Sequence, residues 1–280
     1  MPLARSCPHA ALTQRHCCAD ISHFASPSVR LDEKQAQTIN WAPGDCCGAT
    51  QIKSTFAGTG LGALSNGGSA SPAGLAAQNE LQTWMVNNTR LGIPISFSAE
   101  TLHSAVGGGS KDVSGNGGGS VMFPMPCMQG CTWNTALIEK VARVIGTEAR
   151  ASGNDRGFSP EINVCTDPRF GRTEENFSED PALVAAMGVA AVKGLHGGNV
   201  DGPSSYLPPG TIVSEAKHAA AYGYGGKDGA GADISERTLY DVYLRPWRDY
   251  ARNGGRGAMM SYVFPRPMLQ VSKLYKSQPD

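Results

Sequence analysis

Four stretches of this sequence place ionisable and hydrogen-bonding side chains directly after short apolar runs. Glu100 comes two residues after Ser98; Asp167, Arg169 and Arg172 follow Val164; Lys217 and His218 close the run that begins at Ile212; and Tyr262 follows the run from Gly257 to Ser261. Carboxylate, guanidinium, ammonium, imidazole and phenol gathered on one rim would form a polar cup. Such a cup suits a neutral polyhydroxylated ligand, because hydroxyls both donate and accept hydrogen bonds. The charge balance agrees: 24 Lys and Arg against 24 Asp and Glu leave no net field to gather nucleic acid or an anionic membrane.

Taken singly, each of these residues has an ordinary structural reading. Glu100 fits as a cap for a helix starting near Thr101. Arg172 fits as a loop staple paired with Glu175 or Glu179. Lys217-His218 fits as a satisfied histidine beside a surface lysine, and Tyr262 fits in a core. Their shared placement is what points to a site.

That placement requires a fold that collects the carboxyl ends of its strands on one face, as parallel α/β sheets and barrels do. From Gly58 onward, short apolar runs alternate with amphipathic stretches, the pattern of βαβ units. Strands are expected at Leu61 to Leu64, Ile93 to Ser98, Phe158 to Val164, Ile212 to Lys217 and Gly257 to Ser261. Between them, Asn134 caps a helix with Leu137, Val141, Val144 and Ile145 on one face, ending near Gly153. Asp180-Pro181 opens a helix that stops at Gly197. Ser235 opens another, ending at Asn253-Gly254. Residues 104 to 120 hold seven glycines and read as a loop. Residues 1 to 50 show no sustained period and are expected to form a poorly ordered arm.

Composition narrows the class further. A chain of 280 residues that is 40% apolar has ample material for a core, and 35 Gly with 18 Pro imply many loops rather than a helix bundle. The longest apolar stretch, Ala182 to Val192, is far short of the roughly 18–20 residues of a membrane span. No secretory signal is visible in the first 24 residues. The eight cysteines show no pair of C-x-x-C knuckles, so neither a metal nor any other cofactor is expected, and free thiols are the default. Gly58-Thr59-Gly60-Leu61-Gly62-Ala63, with Glu80 twenty residues beyond Gly60, satisfies a dinucleotide fingerprint. Its context fails, since Gln51 to Ala57 makes no convincing buried strand and Ser65 to Gly74 reads as a loop. Asn87-Asn88-Thr89 and Asn176-Phe177-Ser178 are glycosylation triplets of a kind common by chance.

The order of the motifs resembles one known family. Arg90-Leu91-Gly92-Ile93-Pro94-Ile95 running to Glu100-Thr101-Leu102-His103, then Phe123-Pro124, then Asp167-Pro168-Arg169-Phe170-Gly171-Arg172 through Glu175 and Glu179-Asp180-Pro181, come in its order. Ala216-Lys217-His218 and Met260-Ser261-Tyr262 complete the set. Together they look like the N-terminal barrel of family 3 glycoside hydrolases, along roughly residues 55 to 262. The D-P-R-aromatic-G-R block with its trailing E-D-P is the most specific part. Asp233-Ile234-Ser235-Glu236-Arg237-Thr238-Leu239 also resembles a helix opening of that family.

The resemblance implies an α/β fold, an incomplete TIM-type (β/α) barrel with about five of eight strands. It implies an arm at 1–50, a partial barrel at 51–262 and a divergent tail at 263–280. Glu100, Arg172, Lys217 and His218 match residues that hold hydroxyls of the non-reducing sugar, Tyr262 matches the tyrosine beside the nucleophile, and Asp167, Arg169 and Glu175 support them. Family members cleave with retention, through a carboxylate nucleophile and a second carboxyl about 5–5.5 Å away. After Met260-Ser261-Tyr262 the sequence departs from the pattern: Val263-Phe264-Pro265-Arg266-Pro267-Met268 carries no nucleophile motif, and no acid/base domain follows. The expectation is therefore a β-glucosidase-type chain, truncated and inactive alone, with a β-xylosidase of the same family or an inert sugar-binding fragment as the alternatives. The absence of histidine in Ala219 to Ala232 separates it from the N-acetylhexosaminidase branch. The partners implied are β-glucosides or oligosaccharides, with association through an open sheet edge, in the extracellular or vacuolar setting of an intact family member.

Overall fold

The structure, a computed structural model, describes residues 40–41, 49–65, 72–105, 120–198, 206–224 and 234–261. Its elements in order are β1 (Asn40–Trp41), α1 (Ala49–Phe56), β2 (Ala63–Ser65), α2 (Pro72–Asn88), β3 (Ser96–Ala99), α3 (Pro126–Gly130), α4 (Thr135–Ala151) and β4 (Arg156–Gly157). There follow 3₁₀ turns at Pro168–Phe170 and Thr173–Glu175, then α5 (Pro181–His196), β5 (Val213–Ala219), α6 (Glu236–Thr238), a π turn at Leu239–Tyr243, α7 (Arg245–Arg252) and β6 (Gly257–Met260). The six strands pair in sequence order, every pair parallel. This is the connectivity of an incomplete (β/α) barrel, as expected. Four of the five expected strand regions carry strands, and β1, from the segment read as an arm, is a further strand that pairs with Ala63 and Leu64.

The third expected strand, Phe158 to Val164, does not form a ladder, and β4 lies just before it. Regular pairing covers Arg156–Gly157, and beyond it the chain keeps contact with β5 through a single bridge, Glu161 to Lys217. Pro160 has no N–H to give to a ladder, so β5 is held there by Lys217 N donating to Pro160 O at 3.0 Å and Ile162 N donating to Lys217 O at 2.9 Å.

Helix ends follow the sequence closely. Asn134 Oδ1 accepts from Leu137 N at 3.0 Å, and Asp180 Oδ1 accepts from Ala182 N and Leu183 N at 2.6 and 3.0 Å. Gly197, at φ 84°, ends α5 in the left-handed region that glycine enters freely. The segment opened by Ser235 is broken by its π turn into α6 and α7, with Pro246 in the first turn of α7. The buried face of α4 also differs from the expected one. Ile138, Ala142, Ile145 and Ala149 face the core, while Leu137 and Val144 are exposed. The cause lies in α5: a Cβ on Gly194 would come within 2.6 Å of Ala142 Cβ, and one on Gly146 within 3.3 Å of the Leu195 backbone. Small residues that let two helices approach, rather than the largest apolar ones, select the face.

A cluster including Ile138, Ile145, Ile162, Met187, Leu195 and Ile212 fills the space between α4, α5 and the sheet. Leu64, Ile95 and Phe97 pack on α1 and α2 through Ile52, Phe56, Leu81 and Met85. On β5, Ser214 and Ala216 meet the Tyr250 hydroxyl of α7, whereas Glu215 and Lys217 reach charged partners, Arg156 at 3.1 Å and Glu100 at 2.7 Å. Opposite faces of one strand thus serve the core and a polar layer. At Gly58 to Ala63 the dinucleotide alternative fails: α1 ends at Phe56, Gly60 turns with φ 77°, and a strand follows where a phosphate-binding helix would have to begin.

Candidate functional site

The carboxyl ends of β3 and β5 and the turns after Val164 converge on one cluster. Glu100 leaves β3 and accepts from Lys217 Nζ at 2.7 Å. Arg172, between the two 3₁₀ turns, holds Glu175 with two bonds, Nε to Oε1 at 2.7 Å and Nη2 to Oε2. Its Nη1 lies 3.5 Å from His218 Nε2, and its guanidinium stands 5.6 Å from the centre of the Tyr222 ring. Tyr222 in turn meets His218 and Phe170 edge to face, with centroids 4.8 and 4.7 Å apart. The Lys217–His218 peptide is cis, and both side chains serve this cluster.

Five of the anticipated residues, Glu100, Arg172, Glu175, Lys217 and His218, are therefore brought together. Asp167 and Arg169 instead pair with each other: Asp167 caps the first 3₁₀ turn through Arg169 N at 2.9 Å and binds the Arg169 guanidinium at 2.7 and 3.0 Å. That contact holds the Asp167 carboxyl down to about 2. Tyr262, Asp233 and most of the 104–120 loop lie outside the described residues.

Three participants were not anticipated: Glu161, Asn163 and Tyr222. Glu161 is fully buried, and its Oε1 accepts from Asn163 Nδ2 at 2.7 Å. Asn163 Oδ1 accepts in turn from His218 N at 3.0 Å. Glu161 Oε2 stands 3.5 Å from Arg172 Nη2, and Oε1 stands 3.5 Å from His218 Nδ1. A signal was present in the sequence, because a lone carboxylate inside an expected buried strand needs a partner.

The electrostatics follow from burial and from these pairings. Burial pushes the Glu161 carboxyl well up, and its contact with Glu175 pushes the same way. Burial also raises Glu175, but the Arg172 bonds outweigh it and hold that carboxyl at about 2. For Lys217 burial opposes the charge, yet the contact with Glu100 prevails and the ammonium is favoured. Burial, with Lys217 and Arg172 nearby, drives His218 down to about 2, so its imidazole is neutral. Glu100, Arg172 and Glu175 form the partly exposed rim, at 35%, 24% and 18% of their side chains, over buried Lys217 and His218. Such a rim offers carboxylate acceptors and a guanidinium donor to a hydroxylated ligand. Each carboxylate on it is already engaged by a cation. Among the described residues no group of three or more His, Cys, Asp or Glu is placed to hold a metal ion.

A parallel β/α sheet with a polar cluster at the carboxyl ends of its strands has the layout of part of a (β/α) barrel. Residues 30–267 match the Glycosyl hydrolase family 3 N terminal domain, and the chain belongs to that family. It is 36% identical over 176 residues to a beta-xylosidase of Formosa agariphila, covering 62% of this chain and 23% of that protein. It is 29% identical over 183 residues to a periplasmic beta-glucosidase of Salmonella typhimurium, covering 65% and 21%. Among solved structures it resembles a beta-glucosidase from Listeria innocua with a TM-score of 0.70 and 27% identity, covering 85% of this chain and 32% of that one. The same protein has been crystallised with glucose. The chain thus spans about a fifth to a third of the length of these relatives.

Proposed function

We propose that the cluster around Arg172 and Lys217 binds the terminal sugar of a β-glucoside, as the non-reducing-end subsite of a retaining exo-β-glucosidase. The observation that carries this reading is the convergence of Glu100, Arg172, Lys217 and His218 from three separate segments. The β-glucosidases of Salmonella and Listeria support a glucosyl ligand. The 36% identity to a beta-xylosidase favours, as a second reading, a terminal xylosyl residue. Hydrolysis with retention needs an unpaired carboxylate beside the anomeric carbon and a second carboxyl as acid. Glu100 and Glu175 are each held by a cation, and Glu161 is buried beneath them, so residues 1–280 are proposed to bind sugar without turning it over.

Each neutral hydrogen bond gains about 0.5–1.5 kcal/mol after exchange with water, and association costs take most of that, so binding is expected to be weak. Calorimetry of residues 1–280 with glucose and with xylose, beside assays on aryl β-glucosides and β-xylosides, tests the reading. Weak saturable heat without hydrolysis is the expected result, with the larger heat naming the sugar. Robust turnover would overturn the assignment of the carboxylates, and no heat with either sugar would overturn the site.

A further inference from the structure

We propose that Glu161 is a positioning residue held as a neutral acid, which keeps a proton on Oε2 for Glu175 and accepts the Asn163 amide on Oε1. It thereby supports Arg172 and His218 from below.

Charge and geometry lead to the same place. Three carboxyls, Glu100, Glu161 and Glu175, face two cations, Arg172 and Lys217, beside a neutral His218. Lys217 Nζ is committed to Glu100 at 2.7 Å, and Arg172 to Glu175 through both Nε and Nη2. Among the described residues the third carboxyl has no cation hydrogen-bonded to it: Arg172 Nη2 and the neutral His218 Nδ1 each stand 3.5 Å away, and Lys217, committed to Glu100, acts on it only through space. Glu161 is also the most deeply placed of the three, with no exposed surface. Its Oε2 accepts no hydrogen bond among the described residues, yet it faces the same Arg172 Nη2 that holds Glu175 Oε2, so the two carboxyls are close neighbours. Two ionised carboxylates in that position would repel. A proton on the buried one removes the repulsion, neutralises a charge that burial penalises, and turns the orphaned oxygen into a donor.

The rest of the network then has a direction. Glu161 donates to Glu175, which accepts from Arg172, while Asn163 donates to Glu161 and accepts from His218 N. The Arg172 guanidinium and the His218 backbone are both held from beneath, and the four groups that stay charged, Glu100, Glu175, Arg172 and Lys217, sum to zero. Losing the proton leaves a net negative cluster under the rim. The consequence for ligand positioning rests on the sugar-binding reading above; the location of the proton does not.

The sign of the pH effect follows. A carboxyl that holds its proton more tightly when folded contributes stability at low pH, and that contribution falls away as pH rises from about 4.5 towards its folded value. Melting temperatures of residues 1–280, Glu161→Gln and Glu161→Ala between pH 4.5 and 9 are the test. The amide of Gln mimics a neutral acid, donating to Glu175 and accepting from Asn163, so Glu161→Gln should gain on the wild type as pH rises, by about 2–4 °C or more. Glu161→Ala should lie below Glu161→Gln at every pH, because it leaves Asn163 and Glu175 without their partner. In infrared spectra of the wild type at neutral pH, a protonated-carboxyl carbonyl band should appear that shifts with ¹³C-glutamate and is absent from Glu161→Gln. A missing band, or a Glu161→Gln protein that is as unstable as Glu161→Ala or does not fold, would overturn the proposal. Calorimetry with glucose on the same samples separates the two readings: no heat from the wild type would sink sugar binding and leave the proton where it is.

Discussion

Lys217 Nζ lies 2.7 Å from Glu100 Oε2, an ion pair between residues 117 positions apart that reaches from β5 to the end of β3 across the intervening β4. Its two members are unequal: the lysine side chain is 3% exposed and the glutamate 35%. The lysine has therefore given up its water, and the glutamate only part of it.

From that asymmetry, Glu100→Gln should destabilise the protein more than an ordinary surface change, by about 1–3 kcal/mol. This is below the range for a fully buried pair, because water still screens one partner. Lys217→Met removes the charge that needs compensation, so in the double variant the effect of Glu100→Gln should largely vanish. Urea unfolding of the two single variants and the double variant measures this coupling. Strict additivity would show that the pair is a coincidence of position.

A second expectation concerns acid. His196 is buried, and its Nε2 accepts the Ser214 N–H at 2.9 Å, which fixes a neutral ring. Burial, aided by Arg256, lowers it to about 4, and His218 goes to about 2. Both folded values lie below that of the unfolded chain, so the unfolded state binds more protons as pH falls below about 6.5, and stability is lost in that direction. Each histidine contributes about 1.4 kcal/mol per pH unit within its window, from 6.5 to about 4 for His196. Glu161 and Asp155, both raised chiefly by burial, work in the opposite sense. The clean measurement is a difference: the stability of the wild type minus that of His196→Gln should decline from pH 6.5 to 4.5. A flat difference would mean that His196 takes up its proton while folded.

How much of this was legible beforehand depends on the scale of the interaction. Asn134, Asp180 and Ser235 were readable as helix starts, because a cap is a bond between a side chain and a backbone two or three residues away. Glu100, Arg172, Lys217 and His218 were readable as one rim because strand ends in parallel sheets converge. Glu161 and Asn163 were missed, since their importance comes from what lies above them in space, and the run around them reads simply as a strand. The same limit explains β1, whose two residues carry no periodicity and are fixed by pairing with Ala63 and Leu64. It also explains the face of α4, which is chosen by a neighbouring helix and is invisible to a moment taken along α4 alone.

That neighbour supplies the last prediction. Replacing a mid-helix glycine by alanine ordinarily favours a helix by about 1 kcal/mol. At Gly194 in α5 the sign should reverse. A Cβ there would stand 2.3 Å from Glu139 O, 2.6 Å from Ala142 Cβ and 2.8 Å from Arg143 N, and the first and last of these are backbone atoms that no rotamer can move aside. The helices would have to part along the face where Ile138, Ile145 and Leu195 are packed, forfeiting contact across the largest part of the core. Overpacking of this kind costs typically about 1–3 kcal/mol, enough to exceed the propensity gain. Gly58 provides the control, since nothing lies within 4 Å of the position its Cβ would take. Gly58→Ala should be neutral or slightly stabilising, by up to about 1 kcal/mol. Unfolding curves for the two variants decide the matter: a Gly194→Ala protein as stable as the wild type would mean that α4 and α5 are not in backbone contact at this point.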